Sequence, residues 1–378
     1  MTPIPVLMNS IDTAAPGVRP LEGVRIVDFT QLLPGPAATR FLADFGAEVI
    51  KIEPPAGDPA RRVPPFVESE SALFAEVNRG KKSVVADLKN EGDRHAVLEL
   101  CASADVVIEG FRPGVMDRMG LGYELLSSRN PRLIYVAIAG FGHSGQDALR
   151  AGHDINYLAL AGALDLIGHP AGPIAVPGFQ IADIGGTLHA VIGTLLALAA
   201  RDKSGRGQFV DVSMTNAVAS LMMLPLTILS ATGCSPRRGA ERLSGRYGCY
   251  GVYETADGRW VAVGALEPKF WAALCRELNC EHFIADQFVE DGRREVIRDH
   301  LAAVFRTRTA AEWEQRFRRK DVCVSAVLTL AEARAYRHDP PFPQLSDSPA
   351  MPGATSPRLG QHTREVLSFQ REIMKEAE

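Results

Sequence analysis

The sequence predicts an α/β protein: a large Rossmann-like domain followed by a smaller α+β domain. Three observations carry this. A βαβ pattern occupies residues 21–53, short apolar runs then alternate with helical stretches as far as Ala137, and a hairpin with two helices follows residue 236.

In the first unit, Val24–Phe29 is an apolar strand, Leu32–Pro36 (LLPGP) a turn and Ala37–Phe45 a helix that Gly46 closes before a second strand, Glu48–Glu53. Two parallel strands joined this way require a right-handed crossover. The turn holds one glycine between prolines and lacks GxGxxG, which argues against a dinucleotide site. Val84–Leu88, Val106–Glu109 and Leu133–Ala137 read as further strands of a doubly wound sheet. From Asp154 the pattern turns helical, with apolar helices at Ile155–Ile167 and Thr187–Ala200, a solvated turn at Arg201–Gly207 and a strand at Gln208–Met214. The Gly- and Arg-rich stretch Arg237–Gly248 reads as a linker. Beyond it, Val252–Glu254 and Arg259–Val263 flank Asp257-Gly258, a strong hairpin signal. Helices near Pro268–Leu278 and Ala310–Arg319 complete the smaller unit. The expected division is a flexible leader at 1–20, a large domain at 21–235, a linker and small domain at 236–325, and a return to the large domain at 326–378.

Composition narrows the function classes. With 378 residues, 46% hydrophobic and 23% charged, the chain is an ordinary globular protein of two or three domains. A net charge of −4 gives no reason to expect nucleic acid. The apolar runs Leu188–Ala200 and Ala217–Leu229 are short for a bilayer and read as core helices, and the N-terminus lacks the pattern of a secretory signal. Six scattered cysteines form no CxxC pair, and the histidines are too dispersed for a zinc site. A reducing, cytoplasmic location with no membrane association and no structural metal is the expectation.

Several ordered motifs identify a family. Asp28–Arg61 (DFTQLLPGPAATRFLADFGAEVIKIEPPAGDPAR), Asn78–Lys89, Glu109–Gly122 (EGFRPGVMDRMGLG), SGRGQFVDVSM and Ser356–Leu367 resemble the family III coenzyme A transferase superfamily, CaiB/BaiF type, over nearly the whole chain. Ala151–Tyr157 (AGHDINY) and Tyr253–Trp271 resemble its α-methylacyl-CoA racemase branch. Leu33 stands where formyl-CoA transferases carry glutamine, and Gly245–Cys249 (GRYGC) replaces their glycine run; GRYGC also departs from the Gly-Ala-Pro segment common in racemases. The resemblance implies an interlocked-ring homodimer with its sites shared between subunits. It implies an acyl-CoA substrate and no separate cofactor, coenzyme A being part of the substrate.

Racemising a 2-methylacyl-CoA requires two acid/base groups flanking the α-carbon. His153 stands just before a helix start, where the positive helix end favours the neutral imidazole, although a histidine there is also explained by helix initiation alone. Asp183 precedes Ile184-Gly185-Gly186 and makes a good N-cap of a helix starting there, while the paired glycines Gly185 and Gly186 would let a thioester oxygen approach backbone N–H groups. By resemblance Asp183 is the common catalytic carboxylate, either second acid/base or anhydride-forming nucleophile, and Glu267 orients His153 from the neighbouring subunit. Glu267 also reads as a first-turn acid before Pro268. Asp154 reads as a helix cap, and Asn156 and Tyr157 as pocket or packing residues. The phosphates of coenzyme A need fixed cations: Arg112 is the first candidate, and Arg79, Lys81 and Lys82 form a compact basic loop. Glu53 follows a strand end where the adenine would lie, with Pro54 where racemases often carry arginine. Two alternatives stay open: a transferase moving CoA between carboxylic acids, and a non-catalytic acyl-CoA-binding protein.

Overall fold

The computed structural model describes residues 19–170, 172–290, 292–336 and 343–367. Residues 1–18 of the expected leader and 368–378 of the expected return lie outside them. The chain divides into two compact units, the first made of Met1–Ala163, Pro177–Met222 and Phe342–Glu378, the second of Leu164–Val176 and Met223–Pro341, as far as the described residues extend.

The first unit is built on six parallel strands: β1 (Arg25–Asp28), β2 (Glu48–Glu53), β3 (Lys82–Val85), β4 (Val106–Glu109), β5 (Ile134–Ala139) and β6 (Phe209–Ser213), in spatial order β3-β2-β1-β4-β5-β6. Such strands are buried on both faces and read as continuous apolar runs; Ile26, Val27, Val107, Ile108 and Val136 are fully buried. The order reverses between β1 and β4, and ligands of open α/β sheets bind beyond the carboxyl ends of the strands at such a switch point.

The principal helices of this unit are α1 (Pro34–Asp44), α2 (Glu91–Ala102), α3 (Asp154–Leu160), α4 (Ile181–Ser204) and α5 (Met214–Leu221). α1 begins at Pro34, three residues before the expected start, because proline suits the first helical turn. α3 stops at Leu160, short of the expected Ile167, where Gly162 takes a left-handed φ of 82°. α4 is the one described helix long and apolar enough to cross a membrane, but its buried face packs on α1, α5, β5 and β6. The edge of β3 is covered by the segment after Gly360: the His362 N–H donates to Ser83 O at 2.9 Å, and the Val85 N–H to Thr363 Oγ1 at 2.9 Å.

The second unit holds α6 (Met223–Thr232), an antiparallel sheet of β7 (Tyr250–Glu254) and β8 (Trp260–Gly264) completed by β9 (Val324–Ala326), and helices α7 (Pro268–Glu277), α8 (Arg293–Phe305) and α9 (Ala310–Phe317). β9 and α8 were not expected from the sequence. Trp271 and Trp313 anchor its core, each indole N–H donating to a backbone carbonyl (Phe283 O and Phe305 O). Among the described residues this unit includes 223–336, within which the expected small domain at 236–325 falls. It also takes in 164–176, where Gly168 pairs with Ile174 and Arg238 Nη1 lies 3.6 Å from Asp165.

Candidate functional site

Two loops leave the sheet side by side at the switch point. The Phe29 N–H donates to Ile108 O at 2.8 Å, so the loop after β1 (residues 29–33) abuts the loop after β4 that carries Arg112. Arg112 is exposed, and among the described residues no carboxylate pairs with it. Under the first loop lies a buried ionic network. Lys81 Nζ sits 3.1 Å from Asp28 Oδ2 and donates to Pro36 O and Asn78 Oδ1; Lys51 Nζ donates to Thr30 O at 2.7 Å and lies 2.8 Å from Asp58 Oδ2. Asp58 Oδ1 accepts the Leu32 N–H, and Leu32 holds a left-handed φ of 63°. Burial alone would raise the Asp28 carboxyl, but Lys81, Lys51, Thr30 and Thr39 outweigh it and hold it at about 2.

The loop also reaches α4. Thr187 Oγ1 lies 2.8 Å from Pro34 O and 2.9 Å from Asp183 O, tying the start of α1 to the turn that bears Asp183. Sequence reasoning passed over Thr187, whose one signal was its position a helical turn beyond Asp183.

Asp183 is not the N-cap. α4 starts at Ile181, two residues before it, and Asp154 Oδ1 accepts the N–H groups of Ala182 at 2.6 Å and Asp183 at 3.1 Å. A carboxylate from the first turn of α3 thus satisfies two donors that a helix start leaves open. Asp183 is thereby relieved of capping; among the described residues no hydrogen-bond donor engages its carboxyl. Burial first, and the Asp154 charge second, push that carboxyl up to about 6, with His153 acting in the opposite sense. Gly185 and Gly186 fall within the helix, where their N–H groups belong to the i→i−4 ladder, so the expected thioester approach there is corrected. Gly186 instead admits α5: a Cβ on it would lie 2.6 Å from Met214 Cγ.

His153 is exposed at the start of α3, its N–H donating to Asn156 Oδ1 at 3.0 Å. Asn156 therefore closes the helix start. Tyr157 is buried, bonds its hydroxyl to Gly152 O and packs edge-on against Phe141 at 5.2 Å. Gly140 makes room for that ring, since a Cβ there would lie 2.3 Å from Tyr157 Cε1. Burial and then the Asp183 charge raise the Tyr157 hydroxyl, while Arg112 opposes them. Arg112, Tyr157, Asp183, Asp154 and His153 therefore share one electrostatic neighbourhood.

Other candidates have different employment. Lys81 is sealed from solvent and its ammonium is spent on Asp28, so it cannot reach a phosphate. Glu53 is likewise buried, holding Arg61 through two bonds of 2.7 Å and accepting from Ser83 at 2.6 Å. Each is committed to an opposite charge, Lys81 to an aspartate 53 residues earlier in the chain and Glu53 to an arginine eight residues later. Arg79 grips Asp44 through both amino groups, and Lys82 bridges Glu48 and Glu365. In the second unit Glu267 occupies the N-cap of α7, exposed and with no side-chain capping bond, so helix capping does not account for its carboxylate.

The family follows from the sequence as a whole. Residues 21–342 match CoA-transferase family III, and the chain belongs to that family. It is 39% identical over 365 residues to an α-methylacyl-CoA racemase from Mus musculus, covering 92% of each chain. It is also 38% identical over 321 residues to an acetyl-CoA:oxalate CoA-transferase from Acetobacter aceti, covering 83% of this chain and 82% of that one. A crystal structure of a CaiB/BaiF family protein from Brucella suis superposes with a TM-score of 0.80 at 31% identity, over 93% of this chain and 99% of that one.

Proposed function

We propose that the chain racemises a 2-methylacyl-CoA thioester by 1,1-proton transfer through an enolate. The observation that carries this reading is the carboxyl of Asp183, free of capping and raised to about 6 beside His153. Near neutral pH such a group populates both protonation states, as a residue that must both take and return a proton requires. One of the two removes the α-proton from one face; the other returns a proton to the opposite face. Arg112, at the switch point and unpaired among the described residues, anchors a phosphate of coenzyme A.

Glu267 is read as orienting His153 from the second copy of an interlocked homodimer. An apolar stripe on α4 supports a partner: Ile184, Leu188, Ile192 and Leu195 are all exposed at helical spacing. A monomer that stays fully active at high dilution would rule the homodimer out. The reading places the enzyme in the cytoplasm.

Similarity to the acetyl-CoA:oxalate CoA-transferase supports a second reading, in which Asp183 forms a mixed anhydride with the acyl group. Incubation with a chiral 2-methylacyl-CoA in deuterated water separates the two. Racemisation predicts α-deuterium in both enantiomers without an acceptor acid, and interconversion of the enantiomers lost by about a hundred- to ten-thousand-fold in both His153→Ala and Asp183→Ala, with one-sided exchange kept on the face that retains its base. Hydroxylamine trapping of Asp183 as a hydroxamate, with His153→Ala nearly unaffected, would replace the racemase reading with the transferase.

A further inference from the structure

The Arg112 loop is held by groups that the chemistry above does not use. Glu109, the last residue of β4, is buried, and its Oε2 accepts the Phe111 N–H at 2.6 Å, closing the turn that presents Arg112. Its other oxygen, Oε1, lies 3.4 Å from His143 Nε2. His143 comes from the loop after β5, which turns back at Gly142 with a left-handed φ of 83°. Its N–H donates to the Asp211 carboxylate of β6 at 3.2 and 3.1 Å, and its ring stands edge-on to Phe209 at 5.3 Å. Contacts from β4 (Glu109) and β6 (Phe209) thus converge on one imidazole beside the switch point, and Nε2 is buried and makes no hydrogen bond, with Glu109 Oε1 at ion-pair distance.

We propose that Glu109 and His143 form a proton-dependent brace that positions the Gly110–Arg112 loop, so that the grip on a CoA phosphate tightens when His143 is charged. In the imidazolium, the ring charge pairs with Glu109 Oε1 across 3.4 Å, and the shared carboxylate then holds His143 and the Phe111 N–H together. Neutral His143 has no charge to offer Glu109, so its ring contributes only a neutral donor there, while its backbone bond to Asp211 is unchanged. The charged groups facing the ring are Glu109 from β4, Asp211 from β6 and Asp117 from the short helix after the Arg112 loop; all are acidic. Burial opposes the imidazolium, but these carboxylates outweigh it and raise His143 above its ordinary 6.5. The brace is therefore fully charged below pH 6.5 and is released as pH rises through the raised value. His143 is a positioning residue, acting on substrate only through the loop.

The proposal rests on the acyl-CoA reading for its ligand, and the test separates the two. Binding of free coenzyme A, measured by calorimetry at pH 6 and pH 9, should weaken roughly fivefold more in the wild type than in His143→Gln, which keeps the shape but cannot charge. The same difference should appear in KM for an acyl-CoA, with kcat following the wild-type pH profile. Independently of any ligand, Glu109→Gln should lower the NMR titration midpoint of His143, and hydrogen exchange at the Phe111 amide should quicken on deprotonation. An unmoved His143 midpoint, or equal pH dependence of CoA affinity in wild type and His143→Gln, overturns the brace. Failure of the wild type to bind coenzyme A at either pH overturns the acyl-CoA reading, while the titration and exchange still decide the brace.

Discussion

Asp183→Asn should abolish activity and stabilise the protein, and the size of the gain follows from the site. The Asp183 carboxyl stands at about 6 against an ordinary 3.8, so the folded state binds the proton more tightly than the unfolded chain does. A group raised in this way contributes stability that is complete below pH 3.8 and is lost as pH rises through 6; above that, ionised Asp183 is a burden. The difference of about 2 units corresponds to about 3 kcal/mol, which partial solvent contact reduces to roughly 1–2 kcal/mol. Asparagine removes the charge, and since no donor among the described residues engages the carboxyl, no hydrogen bond is lost with it. Thermal melts at pH 8 should therefore show Tm higher by about 1–4 °C in the variant, and melts at pH 4 little difference. Activity at the expense of stability is common where a charged group is held partly out of water. A variant no more stable than wild type at pH 8, or equally stabilised at both pH values, would refute the argument.

Other expectations follow from neighbouring groups. Arg112→Ala should raise KM for the CoA ester by roughly ten- to a hundredfold with kcat largely retained, since phosphate anchoring acts alike on ground and transition states. A fall in kcat at constant KM would contradict that role. Lys81→Met should cost about 3–5 kcal/mol by leaving Asp28 buried without its nearest cation, seen as a large drop in denaturation midpoint. A midpoint unchanged from wild type would show that Lys51 alone neutralises the carboxylate. Gly140→Ala should lower both stability and activity, because the new methyl would lie 2.3 Å from the Tyr157 ring; Tyr157→Ala in the same chain should restore part of the stability by removing the clash.

What the sequence by itself determined is the local grammar and the family. The β1–α1–β2 unit was legible because strand, turn and helix signals lie within some thirty residues, and the β7–β8 hairpin because Asp257-Gly258 specifies its turn. Asp183 and His153 were singled out in the sequence through their motifs. Tertiary structure decided the rest. α4 starts at Ile181 because a carboxylate 28 residues earlier in the chain caps it, which no inspection of 181–186 reveals. Lys81 looked like a surface cation until β1 brought Asp28 against it from 53 residues away. His143 and Glu109 carried no recognisable signal, since each is ordinary in its own segment and they meet only because β4 and β5 are neighbours. Charge pairing and capping act through space within a few ångströms, whereas sequence patterns report only periodicity along the chain; the employment of a charged side chain is therefore settled by the fold.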